Sequence, residues 1–186
     1  MKNIAILASG SGTNAQNIIQ YFQYHPTIRV DSVWSNRSDV YVLERAAKYG
    51  IEYGSFNRKE FYDSEDFLNR LKSRNIDLVV LAGFLWLVPT NLIQAFPIIN
   101  IHPALLPTYG GKGMYGMKVH EAVVANQEKE SGITIHMVDE VYDHGTVLRQ
   151  EKCPVLPDDT PESLAKRIHQ LEYQYFPEVI ENFLMK

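Results

Sequence analysis

The segment Asn100-Ile101-His102-Pro103-Ala104-Leu105-Leu106-Pro107 sets a carboxamide and an imidazole two residues apart where an apolar run, Ile98-Ile99, comes to its end. In a strand, residues i and i+2 share a face, so Asn100 and His102 point to the same side, and the two prolines stop the ladder just beyond them. A neutral hydrogen-bond donor beside a ring that titrates near neutral pH suits a reaction in which negative charge develops on a carbonyl oxygen. The bland alternative is a satisfied pair at a strand end. The shared face, the flanking prolines and a phosphate-type loop upstream favour catalysis.

That loop is Ser9-Gly10-Ser11-Gly12-Thr13-Asn14, between a strand-like run, Ile4–Ala8, and a helix-period segment, Asn14–Tyr24. Two glycines let the backbone approach a ligand, and the amides of a helix start carry partial positive charge suited to phosphate. The loop lacks the Lys-Ser/Thr ending of an ATP-binding loop and the G-x-G-x-x-G spacing of a dinucleotide fold, so a monophosphate fits better than a nucleotide. A plain turn with Thr13 or Asn14 capping the helix is the competing reading. A third group, Asp139-Glu140-Val141-Tyr142-Asp143-His144-Gly145-Thr146, is acidic but has no metal-ligand spacing, and no metal is expected. Alone it reads as a solvated turn, unless the fold brings one Asp close to His102, where a carboxylate helps an imidazole hold its proton.

The elements that must position these groups follow a βαβα rhythm with short connections. Strands are expected at Ile4–Ala8, Arg29–Trp34, Ile51–Tyr53, Leu78–Ala82, Ile98–Ile101, Gly132–Val138 and Val147–Val155. Helices are expected at Asn14–Tyr24, Val40–Lys48, Arg58–Ser73, Thr90–Gln94 and Lys118–Ala125, with a long one after Thr160. Leu78-Val79-Val80-Leu81-Ala82 is apolar throughout, as a central parallel strand covered on both faces should be. Thr160-Pro161-Glu162 combines a hydroxyl cap, proline at the first helical position and an acid in the first turn. The fold class is therefore α/β: a mostly parallel twisted sheet flanked by helices, in one domain over residues 1–186, with no repeat or linker to argue for a second.

Composition narrows the function. Hydrophobic residues make up 45% and charged residues 22% of 186, ordinary for a globular domain. No stretch reaches the roughly 18 apolar residues of a membrane span. The net charge of -4 offers no general attraction to nucleic acid. The lone Cys153 gives neither an internal disulfide nor a zinc pattern and reads as a packing residue. Met1-Lys2-Asn3 leads straight into a core-like strand without a secretory signal, so a cytoplasmic location is expected.

Taken in order, Ser9-Gly10-Ser11-Gly12-Thr13-Asn14, Ser35-Asn36-Arg37, Leu81-Ala82-Gly83-Phe84, Asn100 to Pro107 and Asp143-His144-Gly145 resemble the phosphoribosylglycinamide formyltransferases nearly end to end. The Asn-x-His-Pro-x-Leu-Leu-Pro stretch with a downstream Asp is shared across the 10-formyltetrahydrofolate superfamily. The opening phosphate loop and the short chain select the purine enzyme within it. The resemblance implies a Rossmann-like formyltransferase fold and transfer of the formyl group of 10-formyltetrahydrofolate to the amine of N1-(5-phosphoribosyl)glycinamide. Folate would be a cosubstrate rather than a tightly bound cofactor.

It further implies Asn100, His102 and Asp143 as the catalytic group, with Asp143 pairing His102 and positioning the water that carries the amine's proton to the leaving nitrogen. Gly12, Thr13 and Asn14 would hold the acceptor phosphate, and Glu172 its ribose or glycinamide part. Leu85, Trp86, Leu87 and Val88 would line the folate pocket, and Lys59 or Arg58 would meet the folate's glutamate tail. Trp86 stands where some relatives carry a basic residue. The glycine-rich Tyr109–His120 segment reads as a mobile lid, while His136 and His169 read as structural. Expected partners are these small molecules only, with no nucleic acid or membrane, in a monomer or homodimer. The competing classes are a binding module that kept the scaffold without turnover, and an enzyme formylating a sugar-nucleotide amine.

Overall fold

The computed structural model describes residues 1–186. The chain runs β1 (Lys2–Leu7), α1 (Thr13–Phe22), β2 (Ile28–Ser35), α2 (Tyr41–Lys48), β3 (Glu52–Ser55), α3 (Asp66–Ser73), β4 (Leu78–Leu81), α4 (Thr90–Ala95), β5 (Ile98–His102), α5 (Met117–Ala125), β6 (Glu130–Met137), β7 (Val147–Pro154) and α6 (Pro161–Leu184). All seven strands form one sheet in the order β3-β2-β1-β4-β5-β6-β7. The expected α/β architecture is present. Pairing is parallel from β3 through β5, and β6 and β7 then run antiparallel.

The side-chain alternation of β1 and β4 divides the interior in two. Ile4, Ile6, Leu78 and Val80 face a core of 28 buried residues shared with α1, α2, α5 and α6. Ala5, Leu7, Val79 and Leu81 face a smaller core of 15, dominated by Phe56, Phe61, Phe67 and Trp34. A strand segment buried on both faces favours apolar side chains throughout, which is why Ile4–Leu7 and Leu78–Leu81 read as unbroken apolar runs.

The expected single helix over Arg58–Ser73 is broken. A π-helical turn covers Lys59–Asp63, Ser64 is extended, and α3 starts only at Asp66. Phe61 and Phe67 explain the break. Six residues apart on a continuous helix they would sit about 240° apart, on different faces, yet both are fully buried in the aromatic core with their rings 5.7 Å apart. Capping reinforces the interruption: Asn57 Oδ1 accepts from the Glu60 amide, Glu60 Oε2 from the Asn57 amide, and Ser64 Oγ from the Asp66 amide.

Helix α6 begins at the expected cap, where Thr160 and Ser163 exchange side-chain and backbone hydrogen bonds. Its interior Pro177 has no N–H and so leaves the carbonyl of Tyr173, one turn earlier, without its helical donor. Asn17 on α1 fills the gap, donating from Nδ2 to Tyr173 O at 2.9 Å. A lost helix bond thus becomes a clamp between α1 and α6, one residue from Glu172. Asn17→Ala should cost about 1 kcal/mol of unfolding free energy, and less in a Pro177→Ala background, where the helical donor returns. Denaturant titration of the four proteins of this double-mutant cycle checks the coupling.

Candidate active site

In an open α/β sheet the crevice lies at the carboxyl ends of the strands where the strand order reverses. Here that point falls between β1 and β4, whose successors lead to opposite edges. A cleft of about 600 Å³ opens there, lined by the loops after β1, β4, β5 and β6 and by residues of α5 and α6.

At one end stands the start of α1. Its N-cap is Gly12, at φ 76°, with no side chain to cap the helix, so the first-turn amides of Thr13 and Asn14 are open to an anion. The alternative in which Thr13 or Asn14 caps the helix is not what the chain does. A Cβ on Gly12 would run into Val42, so tight packing against α2 as well as the backbone angle demands glycine. Ser9 holds the loop: its Oγ donates to Asn36 Oδ1 at 2.7 Å and accepts from the Leu85 amide at 3.0 Å. Behind it, Arg45 Nε donates to Ser11 O at 2.7 Å.

Glu172 reaches this end from α6. It is only 4% exposed, unlike the surface helix charge that a Glu usually is. Its Oε2 accepts from Asn14 Nδ2 at 3.0 Å and lies 2.7 Å from His169 Nδ1. That bond raises the His169 pKa above the ordinary histidine value, outweighing burial.

The other end is built around Asp143. Its Oδ1 lies 3.5 Å from both Asn100 Nδ2 and His102 Nδ1 and 3.7 Å from His136 Nε2, while Oδ2 accepts from the Gly111 amide at 2.9 Å. Burial pushes this carboxyl up, but the His136 and His102 rings, where they carry a proton toward it, and the Gly111 amide outweigh burial and leave the pKa below the usual range. Gly145 lets the loop pass close to β6, since a Cβ there would run into the Met137 carbonyl. The loop is further tied by Asp139, which accepts from the Val141 amide at 2.9 Å and pairs with His144 at 2.7 Å.

Carbonyl partners assign the two rings their protons. His102 Nε2 lies 2.7 Å from Tyr109 O, and a carbonyl can only accept, so Nε2 carries the hydrogen and Nδ1 turns its lone pair to Asp143. His136 Nδ1 lies 2.8 Å from Met137 O and carries its hydrogen there, leaving Nε2 to accept from Asn100 Nδ2 at 3.1 Å. His136, read from sequence as structural, therefore orients the Asn100 amide. Its signal was hidden, because it is opposite Asn100 in the antiparallel β5–β6 pairing, which strand propensity cannot register.

Leu85, Trp86, Leu87 and Val88 all line the cleft, with Val88 also part of the aromatic core. Lys59 is exposed on the π-helical turn, and neither it nor Arg58 belongs to the cleft lining. Its neighbour Arg58 stacks its guanidinium 4.9 Å from the Tyr62 ring centroid and 5.3 Å from that of Trp86. The glycine-rich segment is anchored rather than free at its start, through Tyr109 O and the Gly111 amide, and α5 takes over from Met117.

His102 and His120 both sit below the ordinary histidine pKa, with burial the largest cause; Asp143 pulls the first upward and Glu172 the second. A histidine with a depressed folded value binds its proton more readily in the unfolded chain, so stability falls as pH drops below about 6.5. His169 has the opposite sign: its contribution is full below about 6.5 and is lost as pH rises through its raised folded value. Urea titrations from about pH 7.5 to about 5.5 should show stability falling with pH. His120→Leu should flatten that slope and His169→Gln should steepen it.

Comparison with known proteins agrees with this geometry. The model of the formyl transferase family matches residues 2–180. The chain is 37% identical to phosphoribosylglycinamide formyltransferase of Haemophilus influenzae over 98% of its own length and 87% of the relative's. It is 40% identical to the chloroplastic phosphoribosylglycinamide formyltransferase of Arabidopsis thaliana, covering 96% of this chain but only 64% of that protein. The solved structure of phosphoribosylglycinamide formyltransferase from Streptococcus pneumoniae superposes with a TM-score of 0.86 at 38% identity, over 99% of both chains. An uncapped helix start facing a part-buried Asn-His-Asp group across one cleft, on this fold and with these relatives, places the chain in the formyl transferase family.

Proposed function

We propose that this chain, acting as one catalytic domain, transfers the formyl group of 10-formyltetrahydrofolate to the amine of N1-(5-phosphoribosyl)glycinamide, giving the N-formyl product and tetrahydrofolate. One observation carries the reading: Asp143 stands within 3.5 Å of Asn100 and His102 in the same cleft as the open N-terminus of α1. The acceptor phosphate meets the amides around Gly12, Thr13 and Asn14, and Glu172 meets its ribose or glycinamide part. The folate ring system packs against Leu85, Trp86, Leu87 and Val88. Arg58, stacked over the cleft-lining Trp86, is nearer the folate pocket than Lys59 and is the one that meets the folate tail.

The chemistry follows from the proton positions. The amine lone pair attacks the formyl carbon, a C–N bond forms, and the carbonyl oxygen becomes an oxyanion. Asn100 donates to it with an N–H that reaches Asp143 only at 3.5 Å and is free to turn to a closer acceptor. His102 has spent its Nε2 hydrogen on Tyr109 O and donates only after Nδ1 takes a proton. The attacking amine supplies that proton, directly or through one water. The ionised Asp143, 3.5 Å away, stabilises the imidazolium. When the oxyanion collapses, the proton passes to N10, the C–N10 bond breaks and tetrahydrofolate leaves.

Tetrahydrofolate release from 10-formyltetrahydrofolate should require the ribonucleotide. Asn100→Ala should lower kcat by about 100- to 1,000-fold. Asp143→Asn should also abolish most turnover while leaving acceptor binding in place. Release without the ribonucleotide would indicate a hydrolase, and binding of both substrates without turnover a non-catalytic module.

A further inference from the structure

The acceptor half of the cleft contains one histidine that the protein leaves without a partner. His120, in the first turn of α5, is 2% exposed and lines the cleft, and its Nδ1 is shut off from solvent with nothing to bond. Buried polar groups are nearly always paired, so such an atom points to something that completes it. The contrast within the molecule is sharp: His25, His102, His136, His144 and His169 each bond through a ring nitrogen. A second atom tells the same story independently. Asn14 lines the same cleft and spends its Nδ2 on Glu172, while its Oδ1 is buried and unpartnered.

The surroundings locate the missing partner. The charged and titratable groups that His120 feels are Glu172 and His169 from α6 and His102 from β5. The first two belong to the phosphate end through Asn14, and the third is at the reaction centre. His120 lines the same cleft as both groups. We propose that His120 is a further acceptor-binding residue, whose ring hydrogen-bonds the acceptor between its phosphate and its amine and so fixes the amine's approach to the formyl carbon. The assignment rests on the acceptor reading above. A neutral ring suits the position, because an imidazolium there would disfavour both the positive charge the amine gains on attack and the proton that His102 must take.

The test compares the wild-type protein with His120→Leu and His120→Asn, by calorimetric titration with the ribonucleotide, by steady-state kinetics and by thermal unfolding. Leucine keeps the bulk and removes the hydrogen bond; asparagine restores a polar group near the position of Nδ1. In the leucine variant the acceptor Kd and KM should rise about ten- to a hundred-fold, with the formyl-donor KM unchanged and Tm no lower than wild type. Asparagine should recover part of the loss. Nitrogen NMR of the wild-type imidazole adds a readout that needs no variant: acceptor binding should shift the His120 Nδ1 signal. Unchanged acceptor affinity in the leucine variant, or an unshifted Nδ1 signal on acceptor saturation, would overturn the proposal and leave His120 as water-bridged packing. A wild-type protein that does not bind the ribonucleotide would overturn the functional reading itself, and this assignment with it.

Discussion

The carboxylate of Asp143 stays ionised in a buried position because groups from distant parts of the chain surround it. Asn100 and His102 come from β5, His136 from β6 and the Gly111 amide from the loop that follows β5. Burying a carboxylate without such partners would neutralise it and remove the negative charge that an imidazolium at His102 needs. The centre is therefore a property of the assembled fold. Strands β5 and β6 must pair in register, the acidic loop must turn back through Gly145, and Tyr109 must present its carbonyl to the far side of His102.

Sheet direction makes that assembly possible. Parallel strands deliver their carboxyl ends to one edge, which is why the loops after β1, β4 and β5 meet there. A fully parallel sheet would place the start of the next strand at the opposite edge. By running antiparallel, β6 brings its own carboxyl end to the far edge and carries His136 back across Asn100 in the middle of β5. The reversal supplies a side chain that orients the oxyanion donor from the flank, while β1 and α1 supply the anion-binding helix start.

Local patterns were legible where local physics decides. The alternation of Asn100 and His102, the proline stops, the glycine loop and the Thr160 cap all follow from bonds within a few residues, and each is found where spacing put it. What spacing could not register depends on contacts between distant segments. The break at Ser64 comes from two phenylalanines entering one core. Burial of Glu172 comes from α6 crossing α1, and its partner Asn14 becomes visible only once those helices are packed, whereas His169 is a neighbour three residues back on α6 itself. His136 could not be distinguished from a packing histidine because its partner lies 36 residues away. Lys59 and Arg58 looked equivalent in sequence; the π-helical turn separates them by pointing Arg58 at Trp86.

Two histidine–carboxylate pairs divide the cleft into opposite electrostatic regimes. His169 is nearly half exposed and bonds Glu172 at 2.7 Å, so the partner outweighs the loss of water and the ring's pKa is raised. His102 is 5% exposed in its side chain and meets Asp143 only at 3.5 Å, so burial wins and the ring is neutral at rest. The same residue pair thus favours the protonated ring at the binding end and the neutral ring at the reacting end. That difference suits the chemistry. A Glu172 held by Asn14 and His169 is a fixed feature for a substrate to meet, whereas His102 must be empty to receive the amine's proton and must have Asp143 at hand once it does. Shortening the Asp143 contact or opening His102 to water would raise its pKa and fill the site before the reaction begins, so the long contact and the deep burial are themselves part of the mechanism.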